Sequence, residues 1–232
     1  MTSVAHQYIE RETGNVNTEH LYMDRVVRFF YSGAREQASI MRHWLSGPGS
    51  SRLLGYLNYD TRWGSHACRR FVANNGLNMA ECLDDPAGFD TVRQFFERKI
   101  QYWQYRPLPV DEDVIVAPAD ARVVVGSLSE TSQLFLKGKF FSYDELLACD
   151  KQEWLHAFCD GDFAIFRLTP EKYHYNHTPV AGIVEDHYEI AGRYHSCNPS
   201  AVTRMVTPYS KNKRVVTIVN TDVANGTHVG RV

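Results

Sequence analysis

Two histidines three residues apart, His174 and His177, stand in the segment Thr169-Pro170-Glu171-Lys172-Tyr173-His174-Tyr175-Asn176-His177-Thr178-Pro179-Val180-Ala181-Gly182. An apolar run, Phe163 to Leu168, leads into it, and a second strand-like run follows. Histidine is the side chain whose unperturbed pKa lies nearest neutrality, so a pair at the mouth of a sheet suits proton transfer. A lone His-x-x-His is also common as a structural pair. If Tyr173 to His177 is extended, the two rings face opposite ways and have different jobs; if it is a turn, both can face one pocket. Asp120, in Pro118-Ala119-Asp120-Ala121 between two apolar runs, is either a turn residue or the carboxylate that orients a histidine. A third polar cluster is Tyr194-His195-Ser196-Cys197-Asn198-Pro199, with His187 nearby. That composition permits a metal site, but no carboxylate stands at a typical ligand spacing, so the expectation is no metal.

These residues need elements to hold them. The chain has 232 residues, enough for one large domain or two small ones with a real core. Its net charge of -2 offers no basic field for nucleic acid. Five scattered cysteines, with no Cys-x-x-Cys pair, argue against a disulfide framework and for a reducing compartment. No run reaches the roughly 18 apolar residues of a membrane span, and the polar start lacks the apolar core of a signal peptide.

Residues 1–18 are expected to be flexible. From His20 to Leu45 the apolar positions follow a helical period, with Phe29, Phe30 and Trp44 on apolar faces and Arg25, Arg28, Arg35 and Arg42 between them. This is either a helix pair packed on its own domain or an interfacial segment for an anionic membrane surface. Arg52 to Asn75 reads as one helix burying Leu53, Leu54, Leu57, Ala67, Phe71 and Val72, ended by Gly76. Asn78 to Leu83 is a short helical piece, and Asp90 is the expected N-cap of a helix over 91–99. Arg106-Pro107-Leu108-Pro109 stops all helix. Beyond it the period alternates, predicting strands at Val114–Ala117, Arg122–Gly126, Leu134–Phe141, Phe163–Leu168, Gly182–Tyr188, Val202–Val206 and Val215–Thr221, with a short helix after Ser142. The fold class is α+β: N-terminal amphipathic helices over 19–109, then a compact mixed or antiparallel β domain over 110–232.

Several motifs occur in one order: Phe95-Phe96-x-Arg98, Pro118-Ala119-Asp120-Ala121, Lys137-Gly138-x-x-x-Ser142 with Glu145-Leu146-Leu147, Tyr173-His174-Tyr175-Asn176-His177-x-Pro179-Val180-x-Gly182, and Lys211-Asn212-Lys213-Arg214. Together they resemble the phosphatidylserine decarboxylase family, over about residues 50 to 232. The resemblance implies a pyruvoyl enzyme made as a proenzyme that cleaves itself at a Gly-Ser bond, the serine becoming the pyruvoyl group. That group takes the substrate amine as a Schiff base and acts as electron sink for loss of CO2, giving phosphatidylethanolamine. By matching position, His177 would be the base of self-cleavage and Asp120 would orient it, while His174 would serve decarboxylation and reprotonation. Tyr175, Tyr194, Ser196, Asn198 and Asn212 are the expected substrate-binding residues, with Asn212 and Arg214 structural or on the headgroup side. The implied partners are a phospholipid substrate, a membrane surface met peripherally from the cytoplasmic side, the small chain cut from the same proenzyme, and a second copy in a homodimer.

No Gly-Ser pair occurs near Val232, and Gly49-Ser50 lies in the helical half. The expectation is therefore most of a large chain, or a truncated form, inactive by itself. Three other readings stay open: a pyruvoyl decarboxylase of a soluble amino acid, a metal-binding β-barrel using His174, His177 and His195, and an inactive remnant.

Overall fold

The computed structural model describes residues 7–19, 43–62, 64–129, 133–136, 139–195 and 208–232. The expected N-terminal helices over 20–42 and the expected strand at 202–206 lie outside these residues, as do Ser196, Asn198, Lys137 and Gly138.

The N-terminal stretch is an antiparallel ribbon, not a frayed tail. Strands β1 (Gln7–Ile9) and β2 (Val16–Thr18) pair with Ile9 opposite Val16. Gly14 permits the return, at φ +70°, and the Glu10 carboxylate accepts from the Thr13 hydroxyl at 2.7 Å. The apolar signal is too short for such a ribbon to stand out from a polar tail.

Helix α1 (Pro48–Gly55) opens on a proline, whose missing N–H costs nothing at that position. It runs into one π turn, Tyr56–Asp60. There the side chains of Asn58 and Thr61 take the carbonyls of Leu54 and Leu57, at 2.8 and 2.7 Å, and Thr61 turns extended. The expected single helix is thus two, the second being α2 (Gly64–Asn75). Leu53, Leu54 and Leu57 lie on the surface rather than in the core. Cys68 and Phe71 of α2 are buried with Leu77 and with Phe95 of α3 (Val92–Phe96). Thr91, not Asp90, caps α3: its hydroxyl accepts from the Gln94 N–H while the Gln94 side chain accepts from the Thr91 N–H. This reciprocal box satisfies two donors at once, which Asp90 cannot do from one position earlier.

After α4 (Tyr102–Tyr105) the strands begin, and among the described residues they form two-stranded antiparallel ribbons and close no barrel. β3 (Arg122–Ser127) pairs with β6 (Asp162–Arg167), and β4 (Gln133–Leu136) with β5 (Lys139–Ser142). Two short helices, α5 (Tyr143–Leu147) and α6 (Gln152–Ala157), fill the connection to β6. β7 (Ile183–Ile190) pairs with β8 (Arg214–Asn220), with a bulge between Val184 and Asp186; the short α7 (Pro208–Lys211) precedes β8. Val114–Ala117 joins no ladder; Val116 N–H donates to the Pro179 carbonyl at 2.9 Å and Val114 N–H to the Asp111 carbonyl at 3.3 Å.

Gly192 marks a close backbone approach near the β7–β8 ribbon. A Cβ there would lie 2.4 Å from the Asn212 carbonyl carbon and the Lys213 nitrogen. Gly192→Ala is expected to cost about 1–3 kcal/mol. Gly55→Ala, in open helical space, should stabilise by about 0.5–1 kcal/mol. Urea unfolding midpoints of the two variants, moving in opposite directions, check both.

Candidate active site

The histidine segment is held on three sides. Lys172 N–H closes a turn onto the Thr169 carbonyl at 3.0 Å. His177 N–H donates to the Pro118 carbonyl at 2.6 Å, which brings the segment beside Asp120. From the helical half, the Arg98 guanidinium donates to the carbonyls of Glu171 (2.8 Å), Lys172 (3.4 Å) and Phe95 (3.0 Å). The segment is neither strand nor helix between Tyr173 and Thr178, and its two histidines have different surroundings.

His177 faces a cavity of about 1170 Å³ whose wall also carries Asp120, Arg106, Lys172 and Tyr173. Its Nε2 shares a 2.7 Å hydrogen bond with the Tyr173 hydroxyl. Tyr173 is 4% exposed, and burial, followed by the Asp120 charge, pushes its pKa up. The phenol stays protonated and can either donate to Nε2 or accept from it, according to the ring tautomer. The Tyr102 ring tilts against the other side at 5.8 Å.

Asp120 does not hold His177. Its carboxylate meets Arg106 at 2.9 Å and Lys172 at 3.5 Å, and no hydrogen bond joins it to the imidazole. Both residues nevertheless line the one cavity.

His174 turns the other way. Its ring stacks on Phe96, centroids 3.6 Å apart, and its Nδ1 is buried without a hydrogen-bond partner. Burial first, and the Arg98 charge second, lower its pKa. His174 is therefore a neutral imidazole at pH 7.

The expected substrate-binding set is divided. Tyr175 is on the surface and donates its hydroxyl to the Glu97 carbonyl at 3.1 Å. The Asn212 side chain brackets the His195 backbone, accepting from its N–H at 2.7 Å and donating to its carbonyl at 2.8 Å. Tyr194 is exposed beside them, its N–H on the Ser46 carbonyl. None of these three lines the cavity, and Ser196 and Asn198 lie outside the described residues. Arg214 is structural, donating to the carbonyls of Leu146, Ser210, Asn212 and Glu145. Sequence reasoning missed Tyr173, Arg106 and Lys172. Tyr173, one turn before His177, was the readable one; Arg106 looked only like part of a helix stop. Among the described residues no group of three or more His, Cys, Asp or Glu side chains forms a metal-ligand set, and no helix is long and apolar enough to cross a membrane.

Comparison with known proteins bears on what this cavity does. The family model described as phosphatidylserine decarboxylase matches residues 92–232. A phosphatidylserine decarboxylase proenzyme of Bordetella petrii is 34% identical over 155 residues, 66% of this chain and 53% of that protein. The corresponding proenzyme of Chlamydia trachomatis is 30% identical over 213 residues, 91% of this chain and 69% of that protein. That of Saccharophagus degradans is 33% identical over 176 residues, covering 74% of this chain and 61% of the relative. The chain thus spans only about half to two thirds of the length of these relatives.

The depressed His174 pKa has a consequence for stability. An unfolded chain takes up this proton near pH 6.5, the folded chain only at lower pH. Stability therefore falls as pH drops through 6.5 toward the folded value. His174→Gln should shrink the loss of Tm between pH 7 and pH 5; an unchanged loss would show that this imidazole is not held neutral.

Proposed function

Because the chain belongs to the phosphatidylserine decarboxylase family, we propose that it carries the histidine-lined part of an enzyme converting phosphatidylserine to phosphatidylethanolamine and CO2. The observation that carries this reading is the cavity holding His177, Asp120, Lys172 and Arg106 together.

The relatives are named proenzymes, and we extend that to this chain. A small chain cut from the same precursor would bring a pyruvoyl group. The residues present fit such a group, since two cations, Arg106 and Lys172, face the cavity beside His177 and could bear on negative charge developing there. When bound, it supplies an electrophilic carbonyl able to hold the electron pair released with CO2.

His177 has the role of base in self-cleavage. Its Nε2 takes the serine proton only after exchanging the Tyr173 hydroxyl for that of the serine. Asp120 contributes charge to the imidazolium across the cavity, tempered by Arg106 and Lys172. His174, kept neutral, offers Nδ1 as a proton acceptor near the substrate carboxylate. Lys172 and Arg106 draw an anionic substrate in.

A lipid substrate is favoured over a soluble amino acid by the apolar surface near residue 50. Trp44 is 65% exposed, and Leu53 and Leu54 of α1 and Leu57 of the π turn are exposed as well. We place this face peripherally on a membrane, on its cytoplasmic side.

In the full-length precursor, His177→Ala should abolish appearance of the small chain on a denaturing gel. His174→Ala should be cleaved normally and release CO2 at least about 100-fold more slowly. Normal cleavage of the first variant, or full activity of the second, removes the corresponding role.

A further inference from the structure

The far end of the same cavity holds two arginines that the decarboxylation chemistry leaves unused. Arg122 and Arg167 are direct partners across the β3–β6 ladder, so their side chains share one face. Like charges directly opposite on a ribbon repel, and the pair needs an anion between them. Here that anion is Glu19, which follows β2. Its carboxylate accepts from Arg167 Nη2 at 2.6 Å to each oxygen and meets Arg122 Nη1 at 2.9 Å. The Glu19 side chain is 6% exposed, and the Arg122 guanidinium also lies 3.6 Å over the Tyr8 ring.

Apart from these contacts of Glu19 and Tyr8, the described hairpin makes no hydrogen bond or ion pair to the rest of the described chain. A two-stranded ribbon alone is marginal in water, and this one leaves Ile9 and Val16 exposed. The carboxylate is thus a detachable occupant. Asp120 precedes Arg122 by two residues, at most about 7 Å of chain, so the arginine pair and Asp120 belong to one stretch of the cavity wall, which His177 also lines.

We propose that Arg122 and Arg167 form the site for the phosphodiester of a glycerophospholipid headgroup, and that Glu19 on the 7–19 hairpin is an internal anion the lipid must displace. This rests on the decarboxylase reading only for which lipid is turned over. Two planar guanidinium forks match the oxygens of a phosphodiester as well as those of a carboxylate. One anion leaves and one arrives, so the charge between the arginines is conserved.

Calorimetry on the whole protein with dihexanoylphosphatidylglycerol, which carries the phosphodiester but cannot be decarboxylated, tests this. Glu19→Gln should tighten binding about tenfold, and adding Arg122→Gln or Arg167→Gln should abolish that gain. Inorganic phosphate, titrated in parallel, should gain less; an equal gain for phosphate with none for the lipid would mean a free-phosphate site. Hydrogen exchange over residues 7–19 should rise when the lipid binds the unsubstituted protein. Unchanged affinity in Glu19→Gln overturns the proposal, and so does exchange that stays flat, neither of which needs the arginine variants to fold. CO2 release from phosphatidylserine by the processed full-length precursor, carrying the same substitutions, separates the two readings. Its absence alongside the expected affinities overturns the decarboxylase reading alone, and its presence with unchanged affinities overturns the anion site alone.

Discussion

The buried Arg98 guanidinium is the contact on which the site depends. The residue is 3% exposed, and its hydrogen bonds go to three backbone carbonyls rather than to a carboxylate. A buried charge needs partners for its donors; here both terminal nitrogens are used to fix backbone, while Nε is buried without a partner. One fork ties the end of α3 to the turn at Glu171 and Lys172, so the helical half and the histidine segment share a single rigid joint. Burial depresses the guanidinium pKa, while nearby Cys82 and Glu81 act against that shift. Burial first, and then this same charge, lower the His174 pKa. A neutral substitute could fill the space and would serve neither purpose.

Around that joint the two histidines divide the labour that their spacing left undecided. His174 packs flat on Phe96, in apolar surroundings; His177 faces a wet, charged cavity beside a phenol. Three residues of irregular backbone are enough to send them apart. The difference in environment, rather than any difference in type, is what separates the two side chains.

Strand positions were largely legible. Phe163–Leu168, Gly182–Tyr188 and Val215–Thr221 were each within two residues of the observed β6, β7 and β8, because alternation on a half-buried ribbon leaves a local mark. The order of motifs also located the histidine segment and Asp120. What failed was tertiary or competitive. The break after α1 came from Asn58 and Thr61 competing for helix carbonyls, a contest that periodicity does not register. The partners of Asp120 come from 14 positions upstream and from Lys172, so its choice between a histidine and two cations could not be read locally.

The tie between His177 and Pro118 carries a consequence for the order of events during synthesis. The two residues are far apart along the chain, and the Arg98–Glu171 bond spans 73 residues. Closing loops of that length costs entropy before any contact rewards it, so such contacts form late. Local ribbons such as β4–β5 can assemble first, while the imidazole has no fixed place. Reactive geometry then arises only in a chain already made through the histidine segment and folded back on its helices. Folding thereby sets the moment at which the imidazole and the Asp120 wall first meet, and a chain still emerging holds the two apart.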